Sequence, residues 1–143
     1  MNRIIKNISA ISLAAFLNVA GRSPACGQQK VSEWKAPAGA DTIKNPLPFN
    51  EESIKKGKTT FTQFCVPCHG DKGKGDGIAG AALNPKPGIL ISAKVQSQKD
   101  GALFWKISTG RNAMVSFAPS LTKEQRWAVI NYIRFLAKTE NKK

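Results

Sequence analysis

Histidine occurs once in this 143-residue sequence, at His69, and methionine twice, at Met1 and Met114. One histidine excludes a multi-histidine metal centre and a paired-histidine proton relay. Carboxylates are scarce: 9 Asp plus Glu stand against 22 Lys plus Arg, for a formal net charge of +13. That excess suggests an acidic partner, whether nucleic acid, anionic lipid or an acidic protein face. Apolar residues make up 41% of the chain, too few for a multi-span membrane protein and too many for a disordered one. The length allows a single small domain. There is no internal repeat and no convincing strand alternation.

The first 25 residues have the layout of an export signal. Arg3 and Lys6 make a positive start, Ile8 to Ala20 is a 13-residue run without a charge, and Ser23 and Ala25 are small residues at a cleavage point. Such a run is too short to span a bilayer comfortably. Cleavage fits after Gly21 or after Ala25, and the second cut leaves Cys26 first. Residues 26–50 read as a linker or extended segment, because Pro37, Pro46 and Pro48 oppose helix while Gly39, Asp41 and Asn45 favour turns. Trp34 is large for a free linker and is expected to dock on the domain, residues 51–143.

Three helices are expected there. Glu51 to Cys65 carries Ile54, Phe61 and Phe64 near helical spacing, with two acids suiting its N-terminus. Gly57 lies inside it at a cost of about 0.5–1 kcal/mol relative to Ala, which a close helix crossing would explain. Asp100 to Ser108 is shorter and stops at Gly110. Leu121 to Lys138 opens on a Thr122/Gln125 capping pair and carries a stripe of Val129, Tyr132, Ile133 and Leu136. About 30 residues between the first two helices lack such patterning, too long for a bare loop in a compact domain unless something orders it.

Cys65-Val66-Pro67-Cys68-His69 supplies that something. Two cysteines three apart, followed directly by histidine, form the haem attachment pattern. Thiols at the end of the first helix would bond the two vinyl groups of one haem, and the next residue would turn its imidazole to the iron. The rival readings fit less well. A thioredoxin-type pair wants a strand before it and a helix after it. A Cys3His zinc site would need distant Cys26 and would force adjacent Cys68 and His69 onto one ion. A structural disulfide leaves His69 unexplained. Gly70 to Gly77 lacks the spacing of a phosphate loop. A haem would also serve as the core around which the middle of the chain packs.

The iron then has a sixth ligand or an open face. Bis-histidine ligation is excluded, and Met114 is the only methionine left once Met1 departs with the signal. Met/His ligation raises the reduction potential. If Met114 were instead gap-filling core, the open face would take a gas or peroxide.

Residues from about Glu51 to Ala137 resemble a class I mono-haem cytochrome c of the small bacterial type. The matching pieces stand in family order: the Gly57 and Phe61 helix; the haem pentapeptide with Gly70; Gly73 to Gly77; Leu83-Asn84-Pro85-Lys86-Pro87; Leu103 to Ile107; Met114-Val115-Ser116-Phe117; and Trp127 through Leu136. One departure is Val115, where the family usually has proline. The resemblance implies an all-α class I cytochrome c fold, three main helices plus long loops wrapped around one covalently bound haem c. It implies thioethers at Cys65 and Cys68, and axial iron ligands His69 and Met114. It implies a proline carbonyl, from Pro85 or Pro87, accepting the other His69 nitrogen's proton. Gly57 and Phe61 would meet the Trp127–Tyr132 part of the last helix. Trp105 and Arg111 would reach haem propionates, or else serve as core and as a solvated turn residue. Cys26 resembles the modified cysteine of bacterial lipoproteins, although Ser23 and Pro24 are atypical there.

The expected function is periplasmic electron transfer, not enzymatic catalysis. The chain would accept from a quinol-oxidising complex and donate to a terminal oxidase or reductase, docking through its basic surface. It would be soluble or tethered by a lipidated Cys26. A haem enzyme or gas sensor with an exchangeable sixth ligand is the competing expectation. Nucleic acid is not expected, since no binding motif is present.

Overall fold

The computed structural model describes residues 33–140 and residue 142. The expected signal and Cys26 lie outside the described residues. Among the described residues five α-helices occur: α1 (Glu51–Phe64), α2 (Val66–His69), α3 (Ala93–Gln96), α4 (Asp100–Thr109) and α5 (Lys123–Glu140). Two 3-10 helices, Ala38–Thr42 and Ile78–Gly80, complete the set. These residues contain no β-strand, only one isolated bridge between Arg111 and Met114. The fold is all-α.

Local chemistry begins each long helix. Asn50 caps α1 by accepting from the Ser53 amide at 2.9 Å, and Ser53 Oγ accepts from the Asn50 amide at 3.3 Å. Thr122 and Gln125 make the same reciprocal pair before α5, at 3.1 and 2.9 Å. Such pairs satisfy amides that a helix N-terminus leaves without partners. Gly110, at φ 69°, ends α4 in a conformation that L side chains rarely adopt.

The core is built where α1 crosses α5. The buried stripe of α1 is Ser53, Gly57, Thr60 and Phe61. Ile54 and Phe64, expected on that stripe, are only half-buried. The small residues face the partner because they let the two backbones approach. A Cβ on Gly57 would lie 2.0 Å from the Ala128 carbonyl oxygen and 2.9 Å from Tyr132 Cβ. Phe61 stands edge-on to Tyr132, with ring centroids 5.2 Å apart. The expected contact of Gly57 and Phe61 with the last helix is therefore present. Helix α5 is buried on most sides, from Arg126 through Ile133 and at Leu136 and Ala137. Such a helix needs neighbours around it. Helix α4 supplies a second wall, where Phe104 stacks on Trp127 at 4.0 Å and 13°.

A third wall comes from residues 33–50, an irregular segment that packs on the helices. Pro37 does not oppose helix here. Its carbonyl accepts from Ala40 at 2.8 Å and starts the 3-10 helix over Ala38–Thr42. Gly101 permits that helix to sit on α4, since a Cβ there would lie 2.0 Å from the Ala40 oxygen. Trp34 docks as expected, edge-on to Trp105 with centroids 6.4 Å apart. Asn45 donates to Asn131 Oδ1 at 2.9 Å, and buried Asn131 donates to Pro48 O and Ser53 Oγ at 3.1 and 3.0 Å. A buried amide is stable only with its hydrogen bonds made, so Asn131 locks the segment to α1 and α5 together.

Arg134 of α5 ties the N-terminal end of α4. It donates to Asp100 Oδ1 through Nε and Nη2 at 3.0 and 2.8 Å, and to the backbone oxygens of Gln96 and Gln98.

Gly57→Ala is expected to lose about 1–3 kcal/mol of stability, because the added methyl meets backbone and cannot be relieved by a rotamer change. Gly39→Ala, where a Cβ meets nothing within 4 Å, is expected to stay within about 0.5 kcal/mol of the parent. Denaturant midpoints of the two purified variants check the contrast.

Candidate functional site

The end of α1 delivers the motif. Cys65 caps that helix, its amide bonding Phe61 O at 2.8 Å. Helix α2 follows at once, with Pro67 in its first turn, where a missing amide costs nothing. The His69 amide bonds Cys65 O at 2.8 Å and the Cys68 amide bonds it at 3.2 Å. Cys65, Cys68 and His69 thus stand at i, i+3 and i+4 of one helical turn, the spacing that brings side chains to one face. Gly70, at φ 74°, ends the turn.

Both cysteines are free thiols and half-buried. Burial, with a smaller contribution from Cys68, pushes the Cys65 thiol up to about 12. It is a neutral thiol at physiological pH, not the activated thiolate of a disulfide exchanger.

His69 is held by its backbone neighbour across the loop. Its Nδ1 lies 2.9 Å from Gly88 O. A carbonyl only accepts, so Nδ1 carries the proton and Nε2 keeps its lone pair. Burial lowers the His69 pKa below its ordinary value, against a smaller opposing effect of the Gly88 bond. The ring is neutral, the form that binds a metal. The acceptor corrects the expectation of Pro85 or Pro87. Pro87 O is turned away onto Gly75, where a Cβ would lie 2.5 Å from it. Gly75 takes φ 77° at that contact and also donates to His69 O at 2.8 Å. The Gly-rich loop therefore packs closely on the Pro87 carbonyl, and the next carbonyl, Gly88 O, meets the imidazole.

Met114 is half-buried and packs against the core cluster, as Cys65, Val66, Leu90, Ile91 and Phe117 each do. Its loop starts at Gly110 and doubles back through reciprocal bonds between Arg111 and Met114, at 2.7 and 3.0 Å. Asn112 makes that turn at φ 54°, a region asparagine tolerates. The loop returns to the motif, because Phe117 stands edge-on to Phe64, centroids 6.3 Å apart. Phe64 immediately precedes Cys65. Of the two expected propionate contacts, Arg111 shares the Met114 turn, while Trp105 lies on α4 against Trp34.

The donor set fits a haem c. It offers two thiols and a neutral imidazole with one nitrogen free on one helical turn. The loop that carries the Met114 thioether is tied back toward that turn through Phe117 and Phe64. Sequence reasoning missed Gly88, since a backbone carbonyl has no side chain to announce it.

Comparison with known proteins agrees with this geometry. The family described as cytochrome C oxidase, cbb3-type, subunit III matches residues 52–133. A chain of the reducing HAO-like protein complex of Kuenenia stuttgartiensis matches in structure at a TM-score of 0.55 and 27% identity. The match covers 66% of this chain and 49% of that chain, so this protein spans about half the length of its structural neighbour. A search of curated proteins finds no match. The neutral imidazole, the paired thiols and the family match together place this chain in the cbb3-type cytochrome c oxidase subunit III family, as a class I c-type cytochrome with a covalent haem c that serves electron transfer.

Proposed function

We propose that the chain is a one-electron carrier, with haem c bonded at Cys65 and Cys68 and its iron ligated by His69 and Met114. The observation that carries this reading is the His69 Nδ1 bond to Gly88 O, which orients the ring and leaves Nε2 as the ligand atom. When bound, the haem supplies the Fe(III)/Fe(II) couple. The protein's residues do the rest. Cys65 and Cys68 hold the group on the motif turn, and Gly88 raises the donor strength of His69. Met114 offers a neutral, soft ligand that favours the reduced state. No second histidine is available for acid–base or nucleophilic catalysis.

The carrier is read as periplasmic, exported by residues 1–25 and either soluble or tethered at a lipidated Cys26. No helix among the described residues is long and apolar enough to cross a membrane. Its donor would be a quinol-oxidising complex and its acceptor a terminal oxidase or reductase. Docking would use the basic surface, which keeps a charge of +10 after Arg3, Lys6 and Arg22 leave with the signal. An exchangeable sixth ligand, as in a haem enzyme or gas sensor, is the second reading. Val115 favours it: 62% exposed and not proline, it leaves the Met114 turn without a fixed φ.

Met114→Ala is expected to abolish the weak far-red band of thioether-ligated ferric haem. It should also lower the reduction potential by a sizeable part of the roughly 0.8 V that axial ligands span. Absorption spectra and redox titration check both, and a wild-type protein that is high-spin with an open face would favour the second reading. The Cys65→Ala, Cys68→Ala double variant is expected to lose its haem on denaturing extraction, while the parent keeps it. Mass spectrometry of the mature N-terminus separates the soluble from the tethered form: a diacylglycerol-modified Cys26 establishes the tether, and an unmodified one removes it.

A further inference from the structure

Arg126 is buried, 7% exposed, and no carboxylate among the described residues pairs with it. A buried cation without a partner is costly unless its surroundings compensate it. Here they do. Its guanidinium lies 4.7 Å from the Phe104 ring centroid, within reach of a cation–π attraction. Nη1 donates to Ser108 Oγ, and Nε donates to Thr122 O at 3.4 Å. Ser108 belongs to the last turn of the ten-residue helix α4, whose carbonyl end carries partial negative charge.

That same turn holds the loop bearing Met114. Ser116 Oγ donates to Ser108 O at 2.6 Å, and the Phe117 amide donates to Ile107 O at 3.1 Å. These are terminal carbonyls that a helix leaves free. At the other side of the loop, Gly110 runs so close to its return that a Cβ there would lie 2.5 Å from Met114 O. The loop is therefore clasped at its exit by Ser116 and Phe117 and at its entry by Gly110. Ser108 Oγ in turn donates to Phe104 O at 2.7 Å, so Arg126 contacts both ends of the turn that receives the clasp. Val115 lacks the φ restriction of a proline, so the stiffness of the thioether's position has to come from elsewhere.

We propose that Arg126, acting through Ser108 and Ser116, is a positioning residue for Met114: it fixes the α4 turn to which the Gly110–Phe117 loop is clasped and so keeps the thioether on the iron. This rests on Met114 as the axial ligand. Loosening the clasp increases the fraction of time the sixth position is open, and an exogenous ligand then competes better.

The test is imidazole titration of the ferric holoprotein, read at the far-red band and the Soret band. Ser116→Ala removes an exposed hydroxyl and leaves the core intact. Ser116→Ala and Arg126→Gln are each expected to bind imidazole about tenfold more tightly than the parent, the effect of losing about one hydrogen bond's worth of clasp. Ser116→Thr keeps the hydroxyl and should stay within about twofold of the parent. Should Arg126→Gln fail to fold, Ser116→Ala against Ser116→Thr decides. A parent with the far-red band and Ser116→Ala within about twofold of it overturns the clasp while Met114 ligation stands. A parent without the band overturns the ligand reading, and the clasp with it.

Discussion

The approach of α1 to α5 at Gly57 is the constraint on which the rest depends. Backbone meets backbone there, with the Ala128 carbonyl where a side chain would otherwise be. This sets the distance between the two long helices and aligns Phe61 with Tyr132. Helix α1 runs on from that crossing to Phe64, and the Cys65–His69 turn begins at its end without an intervening residue. The His69 imidazole, the proposed iron ligand, thus sits one turn beyond a helix that this crossing holds in place.

Helix α4 is fixed separately at its two ends, by α5 in both cases. Arg134 grips Asp100 and the carbonyls just before it, and Arg126 contacts Ser108 and Phe104 near the other end. Residues 33–50 close the outer side through Ala40, Trp34 and Asn45. A short helix held at both ends gives the loop that follows it a fixed point of attachment.

Much of the fold is legible in the chain because it is written in local chemistry. The expected helices at Glu51 to Cys65, Asp100 to Ser108 and Leu121 to Lys138 correspond to Glu51–Phe64, Asp100–Thr109 and Lys123–Glu140. Caps, Gly110 and apolar periodicity mark their ends within a few residues. The stretch 33–50 is less legible. Its prolines and turn formers look the same whether the segment hangs free or docks, and what docks it is Asn131, 86 residues from Asn45. Apolar spacing named Ile54 and Phe64 for the α1 stripe, but close packing selected Ser53, Gly57 and Thr60, which are small enough for the crossing.

By itself the sequence determined the chemistry of this protein. Cys65, Cys68 and His69 at i, i+3 and i+4 reach one face of any helical turn, and the lone histidine leaves one imidazole for the proposed iron ligand. The tertiary structure decided how that chemistry is held. It chose Gly88 over Pro85 or Pro87 to take the imidazole proton, and it set Ser116 on the end of α4 with Arg126 behind it. These partners are backbone carbonyls and a buried cation brought together across 8 to 19 residues of chain. A carbonyl is present at every residue, so no letter of the sequence distinguishes the one that is used. Only the packed geometry does.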